Sequence, residues 1–235
     1  GLAASTGYTC KHQTRDAAGN VSTGTGVLVT TGSAAWTPAS LTLSHWYDAS
    51  DTATITHAAG VISQWSDKSG NSRHLVQATE AYRPSTGLDT QNGLNVVTVA
   101  SGQELAFSST STAGTAYTVA IVATPSGGTN GYLASVSTNQ ADAIITKFGG
   151  VSYEYFGAGS GARFTLGSSG LSGYNTLIFV RNGVNVTSLV NGSASGSTAT
   201  RSATAGTMRA EIAPTRVFSG KIAEMVVVPG ALTGT

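Results

Sequence analysis

Apolar residues in this 235-residue chain recur at every second position, in short runs separated by Gly, Asn and Ser. Residues 117–123, 143–148 and 151–156 are β-branched or aromatic and show the pattern clearly. Successive side chains of a strand point to opposite faces, so this alternation marks half-buried strands. Further runs of the same kind are residues 41–47, 61–65, 95–99, 103–107, 132–136, 163–166, 176–180, 184–190, 208–212 and 221–228. No window sustains the i, i+3, i+4, i+7 spacing of an amphipathic helix with its caps. Many short strands joined by Gly-rich turns predict an all-β chain, an antiparallel jelly-roll β-sandwich.

Composition removes several function classes. Charged residues are 10% of the chain, against about 25% in an average soluble domain. The 12 Lys and Arg face 11 Asp and Glu without clustering, so no basic surface for nucleic acid is expected. At 40% hydrophobic residues and a net charge of +1, the chain lacks the signature of disorder. No apolar stretch approaches the ~18 residues of a membrane span. The single Cys10 excludes an internal disulfide and a multi-cysteine metal site.

Turn chemistry divides the chain. Asn182-Gly183 between two alternating runs predicts a tight type I′ hairpin, and Asn191-Gly192 predicts a second turn. The Ser/Ala/Gly/Thr run over residues 193–204 reads as a surface loop. Near the start, Tyr8, Cys10, His12 and Thr14 alternate with polar residues, Asp16 to Asn20 form a turn, and residues 27–30 form a strand. A lone hairpin is marginal in water, so residues 1–32 are expected to be the end of a larger domain. Residues 33–39 read as a linker, and residues 40–235 as the main domain.

The segment Tyr8-Thr9-Cys10 through Asp16-Ala17-Ala18-Gly19-Asn20-Val21-Ser22 resembles the last two strands of a fibronectin type III domain, an immunoglobulin-like sandwich. Residues 40–235 resemble laminin-G-like, concanavalin A-like jelly rolls of phage virion and bacterial surface proteins. The carrying residues are Leu43-Ser44-His45-Trp46-Tyr47-Asp48-Ala49-Ser50-Asp51 and Trp65-Ser66-Asp67-Lys68-Ser69-Gly70-Asn71, followed by Arg83-Pro84, Asn92-Gly93 and the run from Gly220 to Leu232. The resemblance implies that a closing C-terminal segment of the jelly roll lies beyond Thr235. It is specific for fold and says little about ligand.

Glycosidase chemistry needs two carboxylates flanking one bond. The related glucanases align theirs as Glu-x-Asp-x-Glu on one strand face. Glu154 has Ser152 and Phe156 in those positions, so no enzyme is predicted. Asp48, Asp51 and Asp67 are candidate calcium ligands, since the resemblance implies calcium in some members and calcium prefers oxygen ligands. The same residues read first as turn formers, and no cofactor is otherwise expected. Trp65, Tyr153 and Tyr155, with Trp46, are candidate sugar-stacking residues; core packing is the alternative. His12, His45, His57 and His74 fall in no catalytic or metal motif.

The expected function is a non-enzymatic structural or adhesion module of a phage virion appendage or decoration protein, in contact with host-surface glycans. Its expected place is the virion surface or the exterior of a cell. Its expected partners are copies of itself or neighbouring virion and surface subunits, because small Ser, Thr and Gly side chains lose little entropy on association. The alternative is a carbohydrate-binding module of a secreted bacterial surface protein or hydrolase.

Overall fold

The computed structural model describes residues 7–11, 13–22, 24–30, 37–108, 111–112, 114–125, 131–137, 143–146, 153–156, 163–165, 173–194, 199–200, 207–212 and 218–232. The chain divides into two compact units, Gly1–Ser40 and Leu41–Thr235.

In the first unit, Gly7–Lys11 pairs antiparallel with Gly26–Thr30, from Gly7 opposite Thr30 to Lys11 opposite Gly26. The predicted turn is present: the Asp16 carboxylate accepts both the backbone N–H and the side-chain amide of Asn20 at 2.8 Å. The side chains of Tyr8, Cys10 and His12, read as one inward face, lie outside the described residues.

Among its described residues the second unit holds two antiparallel sheets. The larger runs, in spatial order, through Ser193–Ala194, Asn185–Val190, Asn175–Asn182, Ala116–Pro125, Gly220–Val228, Leu94–Val99, Ser85–Gln91, Val61–Trp65, Leu75–Val76 and Ala106–Phe107. His45–Asp48 also pairs with Gly220–Val228, and Ile55–Ala58 with Val61–Trp65. The smaller sheet orders Ser111–Thr112, Thr207–Ile212, Gly131–Ser137, Ala143–Thr146, Tyr153–Phe156 and Arg163–Thr165. Among the described residues, helix is limited to single 3₁₀ turns such as Thr52–Thr54. The protein is an all-β, antiparallel β-sandwich of jelly-roll type.

Alternation places the core where the sequence predicts it. Along Ala116–Pro125, Tyr117, Val119, Ile121 and Ala123 are buried beside Leu177 and Phe179 of the neighbouring strand. Each such large apolar side chain contributes about 1.5–3 kcal/mol on burial. Gly220–Val228 breaks the alternation once. Ile222 and Met225 both belong to the one hydrophobic core although three residues apart, which a regular strand would put on opposite faces. A register shift against Val122 and Ala123 makes Ala223 the extra residue and turns the strand between them.

Two turn expectations change. Asn182 pairs with Asn185, so the hairpin loop is Gly183-Val184, one residue later than predicted. Gly183 has φ +63°, and a positive φ at the first loop position alone is the type II′ pattern rather than type I′. The run 193–204 contains Ser193–Ala194 and Ala199–Thr200, which both pair with Asn185–Val190; its other residues lie outside the described ones.

Candidate functional site

The carrying motifs of the main domain dock on one another. Asp67 is the hub. Its Oδ1 accepts the backbone N–H of Trp46 and of Ser69 at 2.9 Å, and its Oδ2 accepts the Ser69 hydroxyl at 2.7 Å and the Arg73 N–H at 3.1 Å. Arg73 Nη1 donates to the carbonyl and hydroxyl of Ser44, while the Asn71 amide donates to the carbonyls of Leu43 and Ser44. The loop 66–73 thereby clamps the strand His45–Asp48.

Beyond this clamp lies a mixed cluster. Lys68 Nζ bridges Asp48 at 2.8 Å and Asp51 at 2.9 Å, and sits 4.5 Å from the centre of the Trp46 ring. The Trp46 indole N–H donates to Glu224 Oε1 at 2.8 Å. Burial disfavours the charge on both Asp48 and Lys68 and is the largest single influence, but their hydrogen bonds and charge attraction together outweigh it. With Ser50 donating as well, Asp48 is held below the usual carboxylate range, and Lys68, bonded also to Asp51, is held above its ordinary value. Burial pushes the Glu224 carboxyl up, against the pull of the Trp46 bond.

Glu224 sits where the edge of Gly220–Val228 changes partner. Gly220 to Ile222 pair with Val99 to Val97, whereas Glu224 to Val227 pair with Asp48 to His45. The two partner strands diverge at the Ala223 bulge, whose carbonyl accepts the Ala49 N–H at 2.9 Å. Between them lies a depression of about 170 Å³ lined by Asp48, Ser50, Asn92, Leu94, Asn95, Val122 and Glu224. Asn92-Gly93, both at positive φ, form the type I′ turn that brings Leu94 to its rim. The side chain of Asn95 builds the floor, donating to the Ala49 carbonyl at 2.7 Å and accepting the Gly87 N–H at 3.0 Å.

The predicted site residues are distributed differently from expectation. Trp65 has 0% exposure and packs 5.8 Å from Tyr47, so it is a core residue and offers no face to a sugar. Asp67 is a turn hub, because four donors already occupy its two oxygens. Asp48 and Asp51 do come together, but around the Lys68 ammonium. Tyr153 and Tyr155 share one strand of the smaller sheet; their side chains, and that of Glu154, lie outside the described residues. Glu224, Leu94 and Asn95 escaped the sequence reading. A signal existed for the first: Glu224 is the sole acid in an otherwise apolar run from Ile222 to Val228.

No group of three or more His, Cys, Asp or Glu side chains converges on a common point among the described residues. Because Lys68 already bridges Asp48 and Asp51, calcium would have to displace an ammonium held by two carboxylates. The melting temperature is therefore expected to be the same with millimolar calcium and with chelator. A rise of several degrees on adding calcium would show that the ion wins that exchange.

No family model matches the sequence, and no curated protein matches it by sequence. Solved structures share its fold. Domain 4 of AbnA, a GH43 extracellular arabinanase from Geobacillus stearothermophilus in complex with arabinotriose, superposes with a TM-score of 0.56 at 13% identity, over 81% of this chain and 94% of that domain. A mutant GH54 α-L-arabinofuranosidase, soaked with 4-nitrophenyl α-L-arabinofuranoside, gives 0.51 at 14% identity, over 85% of this chain and 58% of the enzyme. Trypanosoma rangeli sialidase in complex with sialic acid gives 0.50 at 15% identity, over 86% of this chain and 32% of the sialidase. The chain thus spans about a third of the sialidase and little over half of the arabinofuranosidase. At these identities the likeness establishes the β-sandwich fold.

Proposed function

We propose that this chain is a non-enzymatic adhesion module, displayed on a phage virion appendage or a bacterial surface, that contacts glycans through the depression at the strand switch. The observation that carries the reading is the mixed lining of that depression: carboxylates and amides beside the apolar side chains of Leu94 and Val122. A sugar ring presents hydroxyl donors at its edge and CH groups on its faces, and such a lining suits both. In this reading the main domain is a laminin-G-like jelly roll, and the hairpin of Gly7–Lys11 and Gly26–Thr30 closes a fibronectin type III-like domain. The low charge suits packing against copies of itself or neighbouring subunits.

Hydrolysis is disfavoured by the placement of the acids. Asp48 and Glu224 are direct cross-strand neighbours, side by side on one wall, and Asp48 is tied to Lys68. A glycosidase instead sets its two carboxyls on either side of the bond to be cut. The carbohydrate-binding module of a secreted hydrolase is the second reading, favoured by the fold match over 94% of an arabinanase domain. Both readings are tested by incubating the purified chain with arabinotriose and with a host-surface glycan array. Retention of a glycan without release of any shorter sugar is expected; cleavage products, or no retention of any glycan, would overturn the proposal.

A further inference from the structure

The lining of the depression has a sign. Two carboxylates, those of Asp48 and Glu224, line it; Asp48 shares the Lys68 ammonium with Asp51 behind it, and Glu224 makes no ion pair among the described residues. Among the described residues no cation lines the depression. Asp48 has both oxygens occupied, Oδ1 by the N–H and hydroxyl of Ser50 and Oδ2 by Lys68. Glu224 differs: Oε1 takes the Trp46 indole N–H, while Oε2 has no hydrogen-bond partner among the described residues. Glu224 therefore enters the depression with one acceptor in hand. Beside Glu224 in the ladder stands the apolar Val122, and Leu94, 58% exposed, lines the same depression. The volume, about 170 Å³, is below the ~300–1,000 Å³ of clefts that enclose drug-sized ligands, and suits one ring.

Resting on the glycan-contact reading, we infer that this depression is a subsite for a single neutral sugar ring, which donates a hydroxyl to Glu224 Oε2, packs its CH face on Leu94, and is selected against acidic sugars. A carboxylate-bearing ring would bring a like charge against Glu224 and Asp48 with no cation to receive it. A neutral ring instead forms a hydrogen bond to an ionised acceptor, the stronger kind. The Trp46 indole positions Glu224 and leaves the second oxygen outward.

The test is calorimetry on the intact chain with maltotriose and galactotriose as neutral probes, and with sialyllactose and oligogalacturonate as acidic ones. Binding of a neutral probe and at least tenfold weaker binding of both acidic probes is expected. Glu224→Ala is expected to weaken the neutral probe about tenfold or more, the loss of one charge-assisted bond. Glu224→Gln, which keeps an acceptor and removes the charge, should narrow the gap between neutral and acidic probes. Leu94→Ala, a change at an exposed position that does not endanger folding, should weaken the neutral probe severalfold. Acidic probes bound as tightly as neutral ones would overturn the inference, as would neutral binding indifferent to both Glu224→Ala and Leu94→Ala. In either case glycan contact itself would stand. Failure to bind any glycan, on the array or in solution, would overturn both.

Discussion

Asp67→Ala is expected to lower the unfolding free energy by about 3–5 kcal/mol, a large fraction of a typical domain's stability. Three backbone N–H groups, those of Trp46, Ser69 and Arg73, end on its carboxylate, and the Ser69 hydroxyl is a fourth donor. Alanine leaves all four without an acceptor in a part-buried setting, at about 1–3 kcal/mol for each donor that water cannot reach. Asn in the same place keeps one carbonyl oxygen and should cost roughly half as much. Urea denaturation of the three proteins checks this: the midpoint should fall in the order Asp, Asn, Ala, with an unchanged slope. A loss under about 1 kcal/mol for Asp67→Ala would show that solvent replaces the carboxylate, and that the loop is held by Arg73 and Asn71 instead. Because the clamp sets the strand that carries Asp48, the alanine variant should also lose the proposed glycan contact in advance of global unfolding.

Asp67 also shows where sequence reasoning reaches and where it stops. The strand Val61–Trp65 was legible to the residue, because it starts and ends on β-branched and aromatic residues and the Ala59-Gly60 turn precedes it. Ser85–Gln91 was missed. Its composition is polar, Gly87 interrupts it, and the ladder slips between Thr86 and Thr90, so no period survives to be read. At the site, the Asp48 and Trp65-to-Asn71 motifs were visible, but their chemistry was ambiguous. A short Asp/Asn-rich loop reads alike as metal ligand and as backbone acceptor. Only the positions of Trp46, Ser69 and Arg73 N–H groups decide for Asp67. The partnership of Asp48 with Glu224 was beyond local reading altogether. It depends on Gly220–Val228 exchanging one partner strand for another at Ala223, a pairing between distant segments with no local signature. Trp65 was weighed as a sugar platform because Trp serves in cores and in binding sites alike; its position opposite Ile55 and Leu75 in the ladder puts it inside.

Acidification is expected to unfold the protein through His45 before most carboxylates titrate. His45 lies at 0% exposure beside Tyr47, and neither ring nitrogen has a hydrogen-bond partner among the described residues. Burial, reinforced by Arg73 and opposed by the Asp67 carboxylate, lowers its pKa from 6.5 to about 4. The unfolded chain protonates this imidazole below pH 6.5, whereas the folded chain resists until about pH 4. The unfolded state therefore binds more protons across that window, and stability falls as pH falls. The contribution is complete above pH 6.5 and lost progressively toward pH 4, about 3 kcal/mol in all. His45→Leu, which fills similar space without a titrating group, should flatten the stability profile between pH 6.5 and 4.5 and leave the steeper acid limb below it. Chemical denaturation at half-unit pH steps for both proteins separates the two. If the wild type and His45→Leu lose the same stability over that window, the buried imidazole is not the group that responds. If the variant holds level while the wild type declines, the segment from Leu43 to Asp51 carries the acid sensitivity of the fold, through a buried imidazole whose two nitrogens have no hydrogen-bond partner among the described residues.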